Sequence, residues 1–445
     1  MLKLKKTLAL ILFLYPLSSY ANADSNIEIS SWQENTRLTT RGKISEVIIE
    51  GKITGFLPNQ VMTAFSITFD KKRNIKITQV GFENLLTDFS FLNNSLVIKF
   101  PKNKGNNQTI SLYFSYEETY DKINKYLRQE VINIPNFASG ADAKVTLNFP
   151  GYLESATLNP NVTKNGNSFI YKNIVPQNGV LEIIKLTEAQ NVWDVTVKVK
   201  IKANQALKNI TLKLPTYFQN YGQKVENFIS TSNIQPLQWN RNGDNRTFKF
   251  NTDNTNLTIH SKARISTGRN NRTEINRNPN NYLEVSSEEI ALLTPILEKI
   301  KRDSKYNNLP LYAKIGKFVH EFIHYDISYV DRLPKIKDIL QNPIGVCTEY
   351  AKIYNSLARI AGIPSITVNG GACGEYNKCQ GHAWNMIYVN NQWIEVDPTW
   401  DLMSGIVSSS HVYFNDEERG EVAFQYLGIK DMMIDSKMDF EMKSF

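Results

Sequence analysis

The sequence predicts a multidomain protein in which N-terminal all-β, sandwich-like domains precede an α+β domain. Three observations predict it. Between about residues 26 and 270, apolar residues recur at every second position in short runs, as in half-buried strands. Asn-Gly pairs, which tolerate positive φ, punctuate those runs as hairpin turns do. After about residue 282 the spacing lengthens to that of helices and then returns to strands.

The chain has 445 residues, enough for several domains at ~100–200 residues each. Its 41% apolar and 21% charged content suits folded cores and excludes a largely disordered chain. Residues 1–23 read as a signal peptide. Lys3, Lys5 and Lys6 give a basic start, Leu8 to Leu17 an apolar run, and Ala21-Asn22-Ala23 a cleavage site of small residues. The expected product is an exported protein, periplasmic or secreted, with no integral membrane segment after cleavage. The net charge of +8 includes those three lysines, and the remainder is too mild to point to nucleic acid.

The β region is expected as two sandwiches, 24–137 and 138–270. Val195 to Lys202 alternates apolar and polar, as do Ile210 to Leu214, Ala64 to Phe69, Leu96 to Phe100 and Ile110 to Phe114. Asn165-Gly166, Asn178-Gly179 and Asn242-Gly243 are the turn signals. The polar stretch Thr267 to Asn281 reads as a linker to a catalytic domain over 282–445. Ser286 or Ser287 caps a helix through Ile290, Leu293, Leu297 and Ile300. Leu311, Ile315, Phe318 and Phe322 mark a second helix. A third starts near Cys347 and stops at Gly362 and Pro364. Ala383 to Val389 and Gln392 to Val396 then flank the two-residue turn Asn390-Asn391.

The chemistry sits in three short motifs: Gly345-Val346-Cys347-Thr348-Glu349-Tyr350-Ala351, Gly381-His382-Ala383-Trp384-Asn385, and Trp393-Ile394-Glu395-Val396-Asp397-Pro398-Thr399-Trp400-Asp401. Cys347 stands at a helix N-terminus, where unpaired N–H groups and the macrodipole favour an anion and hence a nucleophilic thiolate. His382 begins one arm of the hairpin and Asp397 ends the other. Counting outward from Val389 opposite Gln392, position 382 faces about 399, so His382 and Asp397 form a slightly diagonal cross-strand pair.

Cys347, His-Ala-Trp-Asn and Asp-Pro-Thr-Trp-Asp together resemble the core of the transglutaminase-like superfamily, which shares a Cys-His-Asp logic with papain-like proteases. The helix end Arg359-Ile360-Ala361-Gly362-Ile363-Pro364 resembles it too, and the likeness covers roughly 285–415. It implies that Cys347 is the nucleophile, His382 the general base and acid, and Asp397 the group that orients His382. The Cys347 N–H would stabilise the oxyanion. Gln341, six residues ahead of Cys347, stands where papain-like enzymes place an oxyanion glutamine.

Cys373 and Cys379 are expected to form a disulfide in an oxidising compartment, stiffening the loop before His382 and leaving Cys347 as the free thiol. Redox control of access to the site is the functional alternative. Trp384, Trp393 and Trp400 are expected as core around the site. The expected function is an exported cysteine enzyme acting on amide bonds of proteins or peptides, cell-wall peptide included, through a thioester. Hydrolysis is favoured over cross-linking; no cofactor or metal is called for. One alternative is an inactive binding or scaffold protein. Another is a zinc metallopeptidase built on His320-Glu321-Phe322-Ile323-His324, with Glu349 the least poor third ligand.

Overall fold

A computed structural model describes residues 27–39, 42–55, 57, 59–69, 74–119, 127–133, 142–148, 153–155, 162–165, 168–172, 180–188, 190–215, 223–242, 245–268, 277–306, 309–330, 332, 334–373, 379–405, 407, 409–416, 423–426 and 434–444. The signal segment 1–23, the turn Asn178-Gly179 and most of the 267–281 linker lie outside them. Among the described residues no helix is long and apolar enough to cross a membrane. Among the described residues, every regular element before residue 270 is a strand, and an α+β domain follows.

The chain divides into two compact units, the first built from residues up to 153 and 159–185. Alternation places Trp32, Val47, Ile49, Leu112 and Phe114 on the inner face of an eight-stranded sheet. Phe65, Ile67, Leu96 and Ile98 come from a three-stranded sheet and join the same core, so the two sheets form a sandwich. Phe69 meets Phe114 edge to face at 6.3 Å between centroids.

The second unit holds another sandwich and the α+β domain. One sheet orders Gln223–Ser232, Asn256–Gly268, Gln190–Ala203 and Ile434–Ser444; the other orders Gln238–Asn242, Asn245–Phe250, Ile210–Pro215 and Ala423–Tyr426. Val199, Ile201, Leu212, Phe250 and Ile259 fill the space between them.

Both inner domain boundaries differ from the expected ones. The strand Asp142–Asn148 pairs in parallel with Ile27–Leu38, so it belongs to the first sandwich and not to one starting at 138. The second sandwich is completed by the C-terminal strands, so 282–445 is not wholly catalytic. Ile434–Ser444 runs antiparallel along Gln190–Ala203, and Ala423–Tyr426 along Ile210–Pro215. The physical reason is that an open sheet edge presents unpaired N–H and C=O groups, and any suitable strand can satisfy them, however distant in sequence.

The α+β domain contains α1 (Ser287–Arg302), α2 (Leu311–Phe322), α3 (Ile336–Gln341) and α4 (Cys347–Ile360). Its strands are β1 (His324–Tyr325), β2 (Ile344–Gly345), β3 (Ser365–Cys373), β4 (Cys379–Val389), β5 (Gln392–Val396) and β6 (His411–Asp416). A capping box starts α1: Ser286 Oγ accepts from the Glu289 N–H, and Glu289 accepts from the Ser286 N–H. Gly362 ends α4 at φ +77°, a left-handed conformation that suits glycine. The sheet orders β5, β4, β3, β6, and α4 packs on it with Tyr350, Ile353, Tyr354 and Leu357 in one core with Leu293, Ile315, Ile387 and Val396. The sandwich buttresses this sheet. Gln223 accepts from the Tyr413 N–H and donates to its carbonyl, both at 2.9 Å. Trp193 donates its indole N–H to the Ser409 carbonyl at 3.0 Å.

Candidate active site

Two walls make the site. The first is the start of α4. Val346 is extended, and its N–H donates to the buried Glu349 carboxylate at 2.7 Å, which fixes the turn into the helix. Cys347 follows at the first helical position, where an N–H has no intrahelical acceptor. Cys347 is 8% exposed and packs with Ala351 and Ala383. Small residues at those two positions bring helix and sheet close. Asn385 ties them together by donating to the Ala351 carbonyl at 3.0 Å.

The second wall is the β4–β5 hairpin. Asn390 and Asn391 adopt φ of 51° and 61°, and Val389 pairs with Gln392 as the turn signal predicts. The ladder runs outward to Asn385 opposite Val396, so His382 and Asp397 lie just beyond it on facing arms. Their side chains meet at 2.9 Å, Nε2 to Oδ2. Both are buried, at 5% and 0% exposure. A carboxylate only accepts, so Nε2 carries the proton and Nδ1 is left free of Asp397, while the neighbouring Cys347 favours the charged form of the ring.

Sequence reasoning missed a fourth member. His411, on β6, donates from Nε2 to the same Asp397 oxygen at 3.3 Å. Asp397 Oδ1 accepts from the Thr399 N–H at 2.8 Å and the Trp400 N–H at 3.3 Å. Four donors thus converge on one buried carboxylate. His411 lies outside the three motifs and no local pattern marks it. The tryptophans divide: Trp384 is fully buried core, whereas Trp400 stacks on the His382 ring at 4.6 Å between centroids.

The electrostatics follow. Burial alone would lower the His382 pKa, but the Asp397 charge and hydrogen bond outweigh it, with a contribution from Cys347, and push it up to about 10. His382 is therefore an imidazolium at neutral pH. Asp397 resists burial and lies well below the usual carboxylate range because His382 and His411 favour its ionised form.

The other sequence candidates are placed as follows. Gln341 ends α3 and is exposed, and no hydrogen bond among the described residues joins it to Cys347 or His382. Cys373 and Cys379 form a disulfide across the ends of β3 and β4, and Cys347 is the free cysteine. The His-Glu-Phe-Ile-His motif is no zincin helix. α2 ends at Phe322, so His324 lies in β1 and the two histidines do not share a helix face. Instead His320 Nδ1 donates to the Pro398 and Thr399 carbonyls at 3.1 and 3.2 Å, and Lys317 pairs with Asp401. Both residues clamp the loop that follows Asp397. Glu349, a poor third ligand from the start, caps α4. Among the described residues, the group that could hold a metal ion is His382, Asp397 and His411, whose ligand atoms lie within 4.8 Å of one another.

Residues 299–398 match the family model of the transglutaminase-like superfamily. The domain is transglutaminase-like. Kyphoscoliosis peptidase of Mus musculus is 28% identical over 141 residues, covering 29% of this chain and 21% of the relative. That of Homo sapiens is 36% identical over 115 residues, covering 23% and 17%. The chain thus spans about a fifth of the curated relatives it matches. A Cytophaga hutchinsonii structure described as a candidate cysteine protease aligns over 57% of this chain and 91% of its own, with a TM-score of 0.40 and 14% identity.

Proposed function

We propose that the transglutaminase-like domain is an active cysteine hydrolase of amide bonds in proteins or peptides, working in an exported protein. One observation carries this reading: the buried ring of His382, whose charged form its neighbours favour, joins a carboxylate held by four donors beside the only free thiol among the described residues.

The Cys347 sulfur attacks the amide carbonyl; a C–S bond forms and the carbonyl oxygen becomes an oxyanion beside the Cys347 N–H. His382 gives its Nδ1 proton to the leaving nitrogen, the C–N bond breaks, and a thioester remains. Now neutral, His382 takes a proton from water as that water attacks. The C–S bond then breaks, the acid leaves, and the thiolate–imidazolium pair is restored. Asp397 keeps the ring oriented and stabilises its charge throughout. The peptidase names of the curated relatives support hydrolysis, and the disulfide supports an oxidising compartment.

The test profiles purified protein on peptides, cell-wall peptides and glutamine donors with an amine acceptor, using Cys347→Ala as control. Cys347-dependent release of acid or amine is expected. Amine incorporation exceeding hydrolysis would move the reading to a transferase. No Cys347-dependent product or labelling would sink it.

A further inference from the structure

The nucleophile's N–H supplies one oxyanion donor, and a second is needed to complete such a hole. Gln341 does not approach the reacting groups by any described bond, but another side chain does. β1 runs in parallel beside β2, the two-residue strand that leads into Cys347; Tyr325 pairs with Gly345, two positions before the sulfur. The Asp326 N–H donates to the Gly345 carbonyl at 2.9 Å and the His324 N–H to the Pro343 carbonyl at 2.7 Å, so the register is fixed on both sides of Tyr325. The ring of Tyr325 lies 6.4 Å from that of Tyr350, which follows Cys347 by three residues and so shares its helix face.

The hydroxyl is located from the opposite wall as well. Gln380 Nε2 donates to Tyr325 Oη at 3.5 Å. Gln380 precedes His382 by two residues on β4 and therefore projects from the same face of the sheet. Tyr325 Oη thus lies where the Cys347 wall and the His382 wall meet. Gln380 fills an acceptor position on that oxygen, and the hydroxyl keeps its own proton to donate. Cys347 is also near enough to act electrostatically on Tyr325, adding to the effect of burial in raising its pKa, so the phenol stays protonated throughout the neutral range.

The geometry points to Tyr325 as a catalytic residue: its hydroxyl donates to the oxyanion that forms when Cys347 attacks a carbonyl, with Gln380 as the positioning residue that orients it. This deepens the cysteine-hydrolase reading and rests on it. The phenol takes the place sought in Gln341. It is brought there by a parallel strand pair and not by chain proximity.

Two reactions of the full chain separate this role from a structural one. Iodoacetamide alkylates a thiolate by displacing iodide and forms no carbonyl oxyanion. p-Nitrophenyl acetate acylates the same thiolate through one, and its leaving group needs no proton. Tyr325→Phe is expected to slow the nitrophenolate burst by about tenfold or more while changing the alkylation rate less than about twofold. Gln380→Leu is expected to give a smaller loss of the same kind. Equal slowing of both reactions, or an unchanged burst, in a folded Tyr325→Phe protein would overturn the assignment alone. If Tyr325→Phe fails to fold, the ratio of the two rates in Gln380→Leu decides by the same criterion. Absence of either reaction at Cys347 in the unaltered protein would overturn the cysteine-hydrolase reading itself, and this inference with it.

Discussion

The two walls of the site are held by different physics. Cys347 sits among small apolar neighbours at the start of a capped helix, where it favours the charged form of His382. His382 sits in a charged network: one fully buried carboxylate, two imidazoles and two backbone N–H groups. A wall built on van der Waals contact tolerates truncation of its small polar group. A wall built on a buried charge does not, because each lost partner leaves that charge less compensated. The comparison predicts which substitutions abolish activity alone and which also unfold the domain.

The largest effect is expected at Asp397. Asp397→Asn removes the charge on which both histidines converge and should lower turnover by about 10⁴-fold. It should also destabilise the domain by about 3–5 kcal/mol in urea unfolding. Cys347→Ala should abolish turnover and change stability by less than about 1 kcal/mol. Equal stability losses for the two would break the contrast between the walls.

The pH dependence of stability sharpens it. The folded-state pKa of His382 is raised from 6.5 to about 10. Its stabilisation is therefore complete below about pH 6.5 and is lost as pH rises through about 10. Comparing thermal midpoints across that window should show the unaltered protein losing its advantage over His382→Gln as pH rises. Parallel profiles for the two proteins would place the imidazolium elsewhere.

A smaller loss is expected at Gly370, which pairs with His382 across the sheet. A Cβ there would lie 2.1 Å from the Val412 carbonyl oxygen and 2.6 Å from the Trp384 ring. Gly370→Ala should cost about 1–3 kcal/mol by forcing strand and ring apart, and should slow Cys347 labelling through displacement of His382. The smallest effect is expected on the helical side. Ser286→Ala removes the α1 cap and should cost about 1 kcal/mol with labelling unchanged.

Much of this was legible in the sequence, for reasons that differ by element. The β4–β5 hairpin was readable because Asn390-Asn391 prescribes its own register, and that register alone sets His382 against Asp397. α1, α2 and α4 were readable from apolar spacing, a capping serine and a terminal glycine. What stayed hidden depends on long-range pairing. The strand Ile434–Ser444 alternates Met438, Phe440 and Met442 with Asp439, Glu441 and Lys443, a legible strand, but nothing in it says that its partner lies more than 200 residues earlier. His411 and Tyr325 were hidden for the same reason: each reaches the site through a strand pair formed by tertiary folding. The His-Glu-Phe-Ile-His motif misled because its spacing implies a helix that the chain leaves at Ile323.

The most direct test of the account is the rate of iodoacetamide alkylation at Cys347 at pH 7 in the unaltered protein and in His382→Ala. With His382 in place, alkylation should be fast. Without it, alkylation should be at least about tenfold slower. Equal rates in the two folded proteins would contradict the claim that folding delivers the sulfur to a charged His382.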